Sequence, residues 1–345
     1  MRHARIVGTG ANVPDRVVTN DDLAVVYGID TDEAWIRTRT GVRERRFADE
    51  GVRTSDLAAP AARRALEAAG WQASDLDLVV FCTLSPDKAF PGSGVYLQAL
   101  LGLPDAGCFP PCLDVRNQCS GFLYGLACAT GMIRGGLASR VLLVGAEVHS
   151  AALDLTTRGR SVAALFGDGA AAVCLEASEA PGVRDVLLGA DGRHADSLAQ
   201  GVWDMGRRPF VTLDAEGRGT IPPEQLWAHM DGPLVFRHAV SRMRDALVDV
   251  CARDGSSLQD VDLFVLHQAN RRINTQVARL LEIPEDRLVH NIERFGNTTA
   301  ATIPLLLDEA ARSGRLVEGM RVALCAFGSG FTWGSALLDW STARR

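Results

Sequence analysis

Val115-Arg116-Asn117-Gln118-Cys119-Ser120-Gly121-Phe122-Leu123-Tyr124-Gly125 joins two different patterns. Upstream, Cys112-Leu113-Asp114-Val115 is a short apolar-rich run that reads as a strand end. Downstream, Phe122, Leu123, Leu126, Ala127, Thr130 and Ile133 recur at helical spacing until Gly135-Gly136 stops them. Cys119 therefore falls at a strand-to-helix junction, at or near the helix N-terminus. Free backbone N–H groups and the positive end of the dipole favour a thiolate there, and covalent catalysis needs such an activated nucleophile. Most of the eight cysteines are expected to be small buried hydrophobes. Polar Asn117-Gln118 and small Ser120-Gly121 set Cys119 apart, and a partner base and an oxyanion site elsewhere would complete the case.

The rest of the chain repeats the alternation. Ile6-Val7-Gly8-Thr9-Gly10 reads as a first strand, Thr54 to Ala69 as an Ala-rich helix closed by Gly70, and Leu78-Val79-Val80-Phe81-Cys82 as a buried strand. Gly94 to Leu101 reads as a helix, Val141 to Ala146 as a buried strand, and Phe166-Gly167-Asp168-Gly169 as a turn entering another. Strands from Val183, Val261 and Val322 and helices from Leu234, Arg271 and Ile303 follow. Asp191 to Pro223 is polar, rich in Gly and Arg and without periodicity, as functional or mobile loops are. Alternation of this kind predicts an α/β class, with sheets covered on both faces. Phe166-Gly167-Asp168-Gly169 and Phe327-Gly328-Ser329-Gly330 each separate two strand-like runs. Two duplicated halves, residues 1–178 and 179–345, are expected.

Composition narrows the function classes. A chain of 345 residues with 47% hydrophobic content can bury a large core. A net charge of −6 argues against a general nucleic-acid binder, and Arg43-Glu44-Arg45-Arg46 reads as a solvated turn. No apolar run reaches membrane-spanning length and the N-terminus has no signal-peptide layout, so a cytoplasmic protein with free thiols is expected. Cys108-x3-Cys112 lacks paired C-x2-C units, so no metal is expected. Gly8-x-Gly10 lacks the third glycine of a dinucleotide loop, and no cofactor is expected.

His267 and Asn297 have the same kind of address as Cys119, at the end of an apolar run or at a loop-to-helix edge. Parallel α/β sheets gather ligands at the carboxyl ends of strands. Either residue alone could merely cap a helix. With Cys119, three coincidences would be required.

Cys119-Ser120-Gly121-Phe122, His267-Gln268-Ala269-Asn270, Gly296-Asn297-Thr298 and Phe327-Gly328-Ser329-Gly330-Phe331-Thr332-Trp333-Gly334 resemble, in order and spacing, β-ketoacyl-[acyl-carrier-protein] synthase III of the thiolase-like superfamily. The resemblance runs from Gly8 to the C-terminus. It implies two similar halves in five alternating α-β-α-β-α layers, a homodimer, and a decarboxylative Claisen condensation. Cys119 would take an acyl group from acyl-CoA, and the N–H groups of Cys119 and Gly330 would form the oxyanion hole. His267 and Asn297 would then donate hydrogen bonds to the thioester oxygen of malonyl-[acyl-carrier-protein] as carbon dioxide leaves.

Further roles follow only from the resemblance. Trp35 and Arg39 match positions that contact the CoA adenine, and Arg158 the arginine facing that tryptophan. Phe90 matches a residue that closes the partner subunit's acyl pocket, and Asn270 the asparagine beside the catalytic histidine. Gly232 and Phe236 fall in the substrate-binding segment. Arg237 and Arg272 lie where the family offers basic charge to the acidic carrier protein. Pro233 replaces a common CoA-contacting asparagine, and the Asp191–Pro223 segment is longer than in the acetyl-specific enzymes; both point to a longer or specialised acyl primer. The alternative is an acyltransferase that moves the acyl group to a carrier protein, alcohol or amine without decarboxylation. Retention of Asn297 argues against it, since such an enzyme has no enolate to stabilise. A thiolase would need a second catalytic cysteine, and Cys325 reads as core. A non-catalytic partner would not need Cys119.

Overall fold

The apolar runs become strands of two sheets in the computed structural model, which describes residues 2–341 apart from Trp203 and Phe210. The first sheet holds β1 (His3–Asn12), β2 (Leu78–Cys82), β3 (Cys112–Val115), β4 (Arg140–Glu147) and β5 (Gly169–Ser178), in the order β1-β5-β4-β2-β3. The second holds β6 (Val183–Ala190), β7 (Leu263–Leu266), β8 (Arg321–Gly328) and β9 (Thr332–Asp339), in the order β7-β8-β9-β6. β4 is parallel to β2 and antiparallel to β5; β8 is likewise parallel to β7 and antiparallel to β9. Traced from β1 and from β6, the sheets repeat one sequence of strand directions.

Among the helices that cover them are α1 (Thr54–Ala69), α2 (Gly121–Arg134), α3 (Gly232–Asp254), α4 (Arg271–Leu280) and α5 (Thr302–Arg312). Side chains alternate along each strand. Leu78, Val80 and Cys82 of β2 join Leu126 and Ile133 of α2, Leu306 of α5, and Val322 and Leu324 of β8 in one core. Val79 and Phe81 face the other way, onto Ala58, Ala62 and Leu66 of α1. Ala323 and Cys325 of β8 pack on Leu247 of α3 and Val277 of α4. The result is five layers, with α2 and α5 between the sheets. Strands buried on both faces carry unbroken apolar runs instead of alternating ones.

The central layer is also why α2 tolerates poor helix formers. It contains Gly121, Gly125 and Gly131, and an interior Gly costs about 1 kcal/mol against Ala. At Gly125 a Cβ would come within 2.3 Å of Cys82 Sγ and 2.7 Å of Leu143 Cδ1, so only glycine lets the helix lie this close to the sheet. Burying one Leu of this layer stabilises by about 1.5–3 kcal/mol, which outweighs such a defect.

Two expectations change. Arg45 is not a solvated turn residue: it is fully buried in a strand (Glu44–Arg46) paired with Val17–Thr19. Its guanidinium donates to Val18 O (3.1 Å), Asn20 Oδ1 (2.8 Å) and Ala164 O (2.9 Å), so burial costs it no loss of partners at those hydrogens. The Asp191–Pro223 segment is more ordered than its pattern suggests. Leu198–Ala199 pairs with His229–Met230, and Thr212–Leu213 with Gly219–Thr220. Two-residue ladders are too short to show a period. Among the described residues no helix is long and apolar enough to cross a membrane.

Candidate active site

β3 ends in a 3-10 turn, Gln118–Ser120, that leads directly into α2. Gln118 has φ of +45°, a left-handed conformation uncommon for a non-glycine residue, immediately before the cysteine. Cys119, the middle residue of the turn, is only 7% exposed. Burial pushes its thiol up to about 12; the nearby Glu147 adds to the shift, and the amides of Cys119 and Ser329 oppose it. This corrects the expectation of a thiolate at rest. The helix start and its amides are present, but desolvation outweighs them.

His267 follows β7. Its amide donates to Cys325 O (2.8 Å), and its ring Nδ1 lies 2.7 Å from Thr302 Oγ1. Nε2 is buried with no hydrogen-bond partner among the described residues. Burial pushes the imidazole down to about 3, so it is neutral. Asn297 enters the turn before α5. Its amide donates to Leu165 O (2.8 Å), and its Oδ1 accepts from Thr299 N (2.9 Å), which leaves the Nδ2 hydrogens outside that bond. Gly296 before it has φ of +63°, and a Cβ there would stand 2.6 Å from Leu165 O.

Packing brings these segments together. The Cys119 turn rests on the Thr299–Ala301 turn and on β8. A Cβ on Gly328 would come within 2.7 Å of Cys119 Cβ, and one on Gly121 within 3.5 Å of Ala300 Cβ. Ser120 Oγ and Thr332 Oγ1 share a 2.8 Å hydrogen bond that ties the turn to β9. A cavity of about 1230 Å³ opens on Cys119 and is also lined by His149, Phe166, Leu198 and Ser329. His267 and Asn297 are not in its lining. Gly330 lies in the turn between β8 and β9, one residue past the Ser329 amide that acts on the sulfur.

Two residues escaped the reading of the sequence. Glu147, at the end of β4, is fully buried and accepts from Thr83 Oγ1 (3.1 Å), Ser85 N (3.1 Å) and Ser85 Oγ (2.6 Å); burial pushes it up to about 7. His149 is bonded to Thr299 Oγ1 through Nε2, and burial pushes it down to about 3. Both sit past the apolar run Val141–Ala146, the same address that singled out His267.

The remaining positions are spread over the surface. Trp35 is half-buried, with the guanidinium carbons of Arg39 and Arg160 each 4.6 Å from its ring centre. Arg160, not Arg158, faces this tryptophan; Arg158 is held 2.6 Å from Asp154 Oδ2 instead. Asn270 is the N-cap of α4: its Oδ1 accepts from Arg272 N (2.9 Å) and its Nδ2 donates to Arg39 O (3.0 Å). Phe90 is 85% exposed. Gly232 opens α3, where a Cβ would meet open space, and Phe236 one turn on is half-buried. Arg237 and Arg272 are exposed, the latter over the Phe236 ring at 5.7 Å.

Residues 113–192 match the family described as 3-Oxoacyl-[acyl-carrier-protein (ACP)] synthase III, and residues 251–340 match its C-terminal counterpart. The structure is similar to that of 3-oxoacyl-(acyl carrier protein) synthase III from Pseudomonas aeruginosa PAO1, with 38% identity over 99% of this chain and 100% of that one and a TM-score of 0.86. The synthase III from Thermus thermophilus is 37% identical over 98% and 100% of the two chains, with a TM-score of 0.87. The priming β-ketosynthase of the R1128 polyketide biosynthetic pathway is 32% identical over 98% and 96%, with a TM-score of 0.86. The chain, with its thiolase-like fold, belongs to the β-ketoacyl-[acyl-carrier-protein] synthase III family of condensing acyltransferases.

Proposed function

We propose that the protein loads an acyl group from acyl-CoA onto Cys119 and condenses it with malonyl-[acyl-carrier-protein], with loss of carbon dioxide, to begin a fatty-acid or polyketide chain. The observation that carries this reading is the neutral, buried His267, whose Nε2 has no partner among the described residues. A neutral imidazole can donate a hydrogen bond to a developing enolate without protonating it; an imidazolium would quench the carbanion.

In the first stage Cys119 Sγ attacks the thioester carbonyl, a C–S bond to CoA breaks, and the thiol proton leaves with the CoA sulfur. The amides of Cys119 and Gly330 form the oxyanion hole. In the second stage the malonyl C–C bond to the carboxylate breaks, and its electron pair enters an enolate held by His267 Nε2–H and Asn297 Nδ2–H. The enolate carbon attacks the acyl carbonyl, and the Cys119 sulfur departs and regains a proton. Loss of one such donor costs about a hundredfold or more in rate.

Trp35, Arg39 and Arg160 are the surface that would meet the CoA adenine, and Gly232, Phe236 and Asn270 the region along its pantetheine arm. Arg237 and Arg272 would receive the carrier protein. A second copy of the chain would cover Phe90. We further divide the chain at residues 178 and 179 into two halves, one bearing Cys119 and the other His267 and Asn297.

Intact-protein mass spectrometry after exposure to a panel of acyl-CoAs tests the first stage. One chain-length class should label the protein, and C119A should stay unlabelled. The second stage is tested with malonyl-[acyl-carrier-protein]: H267A and N297A should accumulate acyl-enzyme without releasing a β-ketoacyl product. Labelling at another cysteine, or transfer to an alcohol or amine with no carbon dioxide released, would refute condensation at this site.

A further inference from the structure

We propose that Thr299 is a positioning residue for the condensation: pinned by His149, it fixes the side-chain amide of Asn297 so that Nδ2, and not Oδ1, is left for the substrate. The inference rests on the reading that Asn297 serves the malonyl thioester.

Thr299 is fully buried and has φ of +50°, in the left-handed region. For a β-branched residue that conformation is a genuine outlier, and it persists only where the surroundings over-determine it. Every polar group of the residue is engaged. Its N–H donates to Asn297 Oδ1 (2.9 Å), its carbonyl accepts from the Thr302 amide and hydroxyl, the latter at 3.0 Å, and its own hydroxyl is bonded to His149 Nε2. The last bond restrains the hydroxyl whichever of the two atoms donates, so the restraint is independent of the ring tautomer. The first runs in one direction only. A backbone N–H can only donate, so the amide atom facing it is the oxygen. Turned over, the amide would set two donors face to face.

His149 grips Asn297 from two sides. Its Nε2 holds the residue that orients the side chain, and its ring centre lies 4.7 Å from that of Phe166. Phe166 is the middle of the stretch that holds the Asn297 backbone: Asn297 N donates to Leu165 O (2.8 Å), and Gly167 N to Asn297 O (3.2 Å). The backbone of His149 is anchored in turn, its N–H donating to Asp168 Oδ1 (2.7 Å). Without the Thr299 hydroxyl the left-handed turn loses its link to this anchor, and the amide of Asn297 loses its fixed direction.

The test uses full-length protein labelled with ¹⁵N at the asparagine side chains, with Asn297 assigned by comparison with N297A. T299V, which keeps the shape and removes the hydroxyl, should shift the Asn297 side-chain amide resonances, and H149L should shift them likewise; T299S should leave them near the wild-type position. In T299V condensation with malonyl-[acyl-carrier-protein] should fall about 10–100-fold, the scale of a misaligned reacting group, while the rate of Cys119 acylation stays unchanged. T299S should recover most of the loss. T299V combined with N297A should be no slower than N297A alone, because Thr299 acts only through that amide. Asn297 resonances that T299V leaves in place, a T299V loss that multiplies the loss from N297A, or acylation and condensation falling together would each overturn the assignment. A wild type that acylates but never condenses refutes the condensation reading instead, since the amide resonances report the orientation of Asn297 without turnover.

Discussion

At Cys119 a helix start and the cost of desolvation act in opposite directions, and the thiol pushed up to about 12 shows which is larger. Glu147 contributes on the same side as burial, and its own carboxyl is pushed up to about 7 from an ordinary 4.5. A carboxyl raised on folding favours the native state most when protonated. The stability it contributes is therefore full below about pH 4.5 and is lost as pH rises through about 7, on the order of 3 kcal/mol in all. E147Q should flatten the fall in Tm between about pH 5 and 8 and speed iodoacetamide alkylation of Cys119 at pH 8, because the neighbouring negative charge is gone. A Tm profile as steep as the wild type's would show that the carboxylate is charged without penalty. A second residue-scale prediction concerns the two arginines of Thr157-Arg158-Gly159-Arg160. Arg160 stacks on Trp35 while Asp154 holds Arg158, so R160A should raise KM for acyl-CoA several-fold and R158A much less. Equal effects would count against the stack as the adenine platform.

Elements meet at this site through glycines, and that is where a single methyl group should matter most. Gly328 ends β8 with its Cα against Cys119, and an added Cβ would stand 2.7 Å from Cys119 Cβ and 3.1 Å from its nitrogen. Backbone and nucleophile cannot both keep their places. G328A should lower acyl transfer to Cys119 about a hundredfold or more, since a misplacement of about 1 Å at the reacting atom costs that much, with circular dichroism near wild type. Unchanged acylation would mean that the turn has room to yield. Helix ends and strands were legible in the residues because local chemistry marks them: α1 stops at Gly70, which is left-handed with φ of +62°, and β2 and β4 are unbroken apolar runs. The burial of Arg45 was not legible. Its partners, Val18 O, Asn20 Oδ1 and Ala164 O, come from three other places in the chain, and no local pattern assembles them.

On the scale of the whole molecule, the addresses of Cys119, His267 and Asn297 could be read from strand ends and turns, because topology alone delivers such positions to one region. The protonation states of Cys119 and His267 could not, since depth of burial is a property of the packed layers. The charge of the surface raises a related competition. The chain carries a net charge of −6, so an acidic carrier protein meets overall repulsion at distances shorter than the Debye length of about 8–10 Å. Docking would then depend on a local patch of the opposite sign, and Arg237 and Arg272 are the exposed cations at the starts of α3 and α4 assigned to it. Reversing either charge replaces attraction by repulsion between exposed groups, an interaction that salt screens. R237E and R272E should each raise KM for malonyl-[acyl-carrier-protein] about tenfold, equivalent to about 1.4 kcal/mol, and leave the rate of Cys119 acylation by acyl-CoA unchanged. The penalty should shrink as ionic strength rises. A loss that persists at high salt, or one shared by the acyl-CoA half-reaction, would assign these arginines to the fold or the CoA site and leave the carrier protein to dock elsewhere.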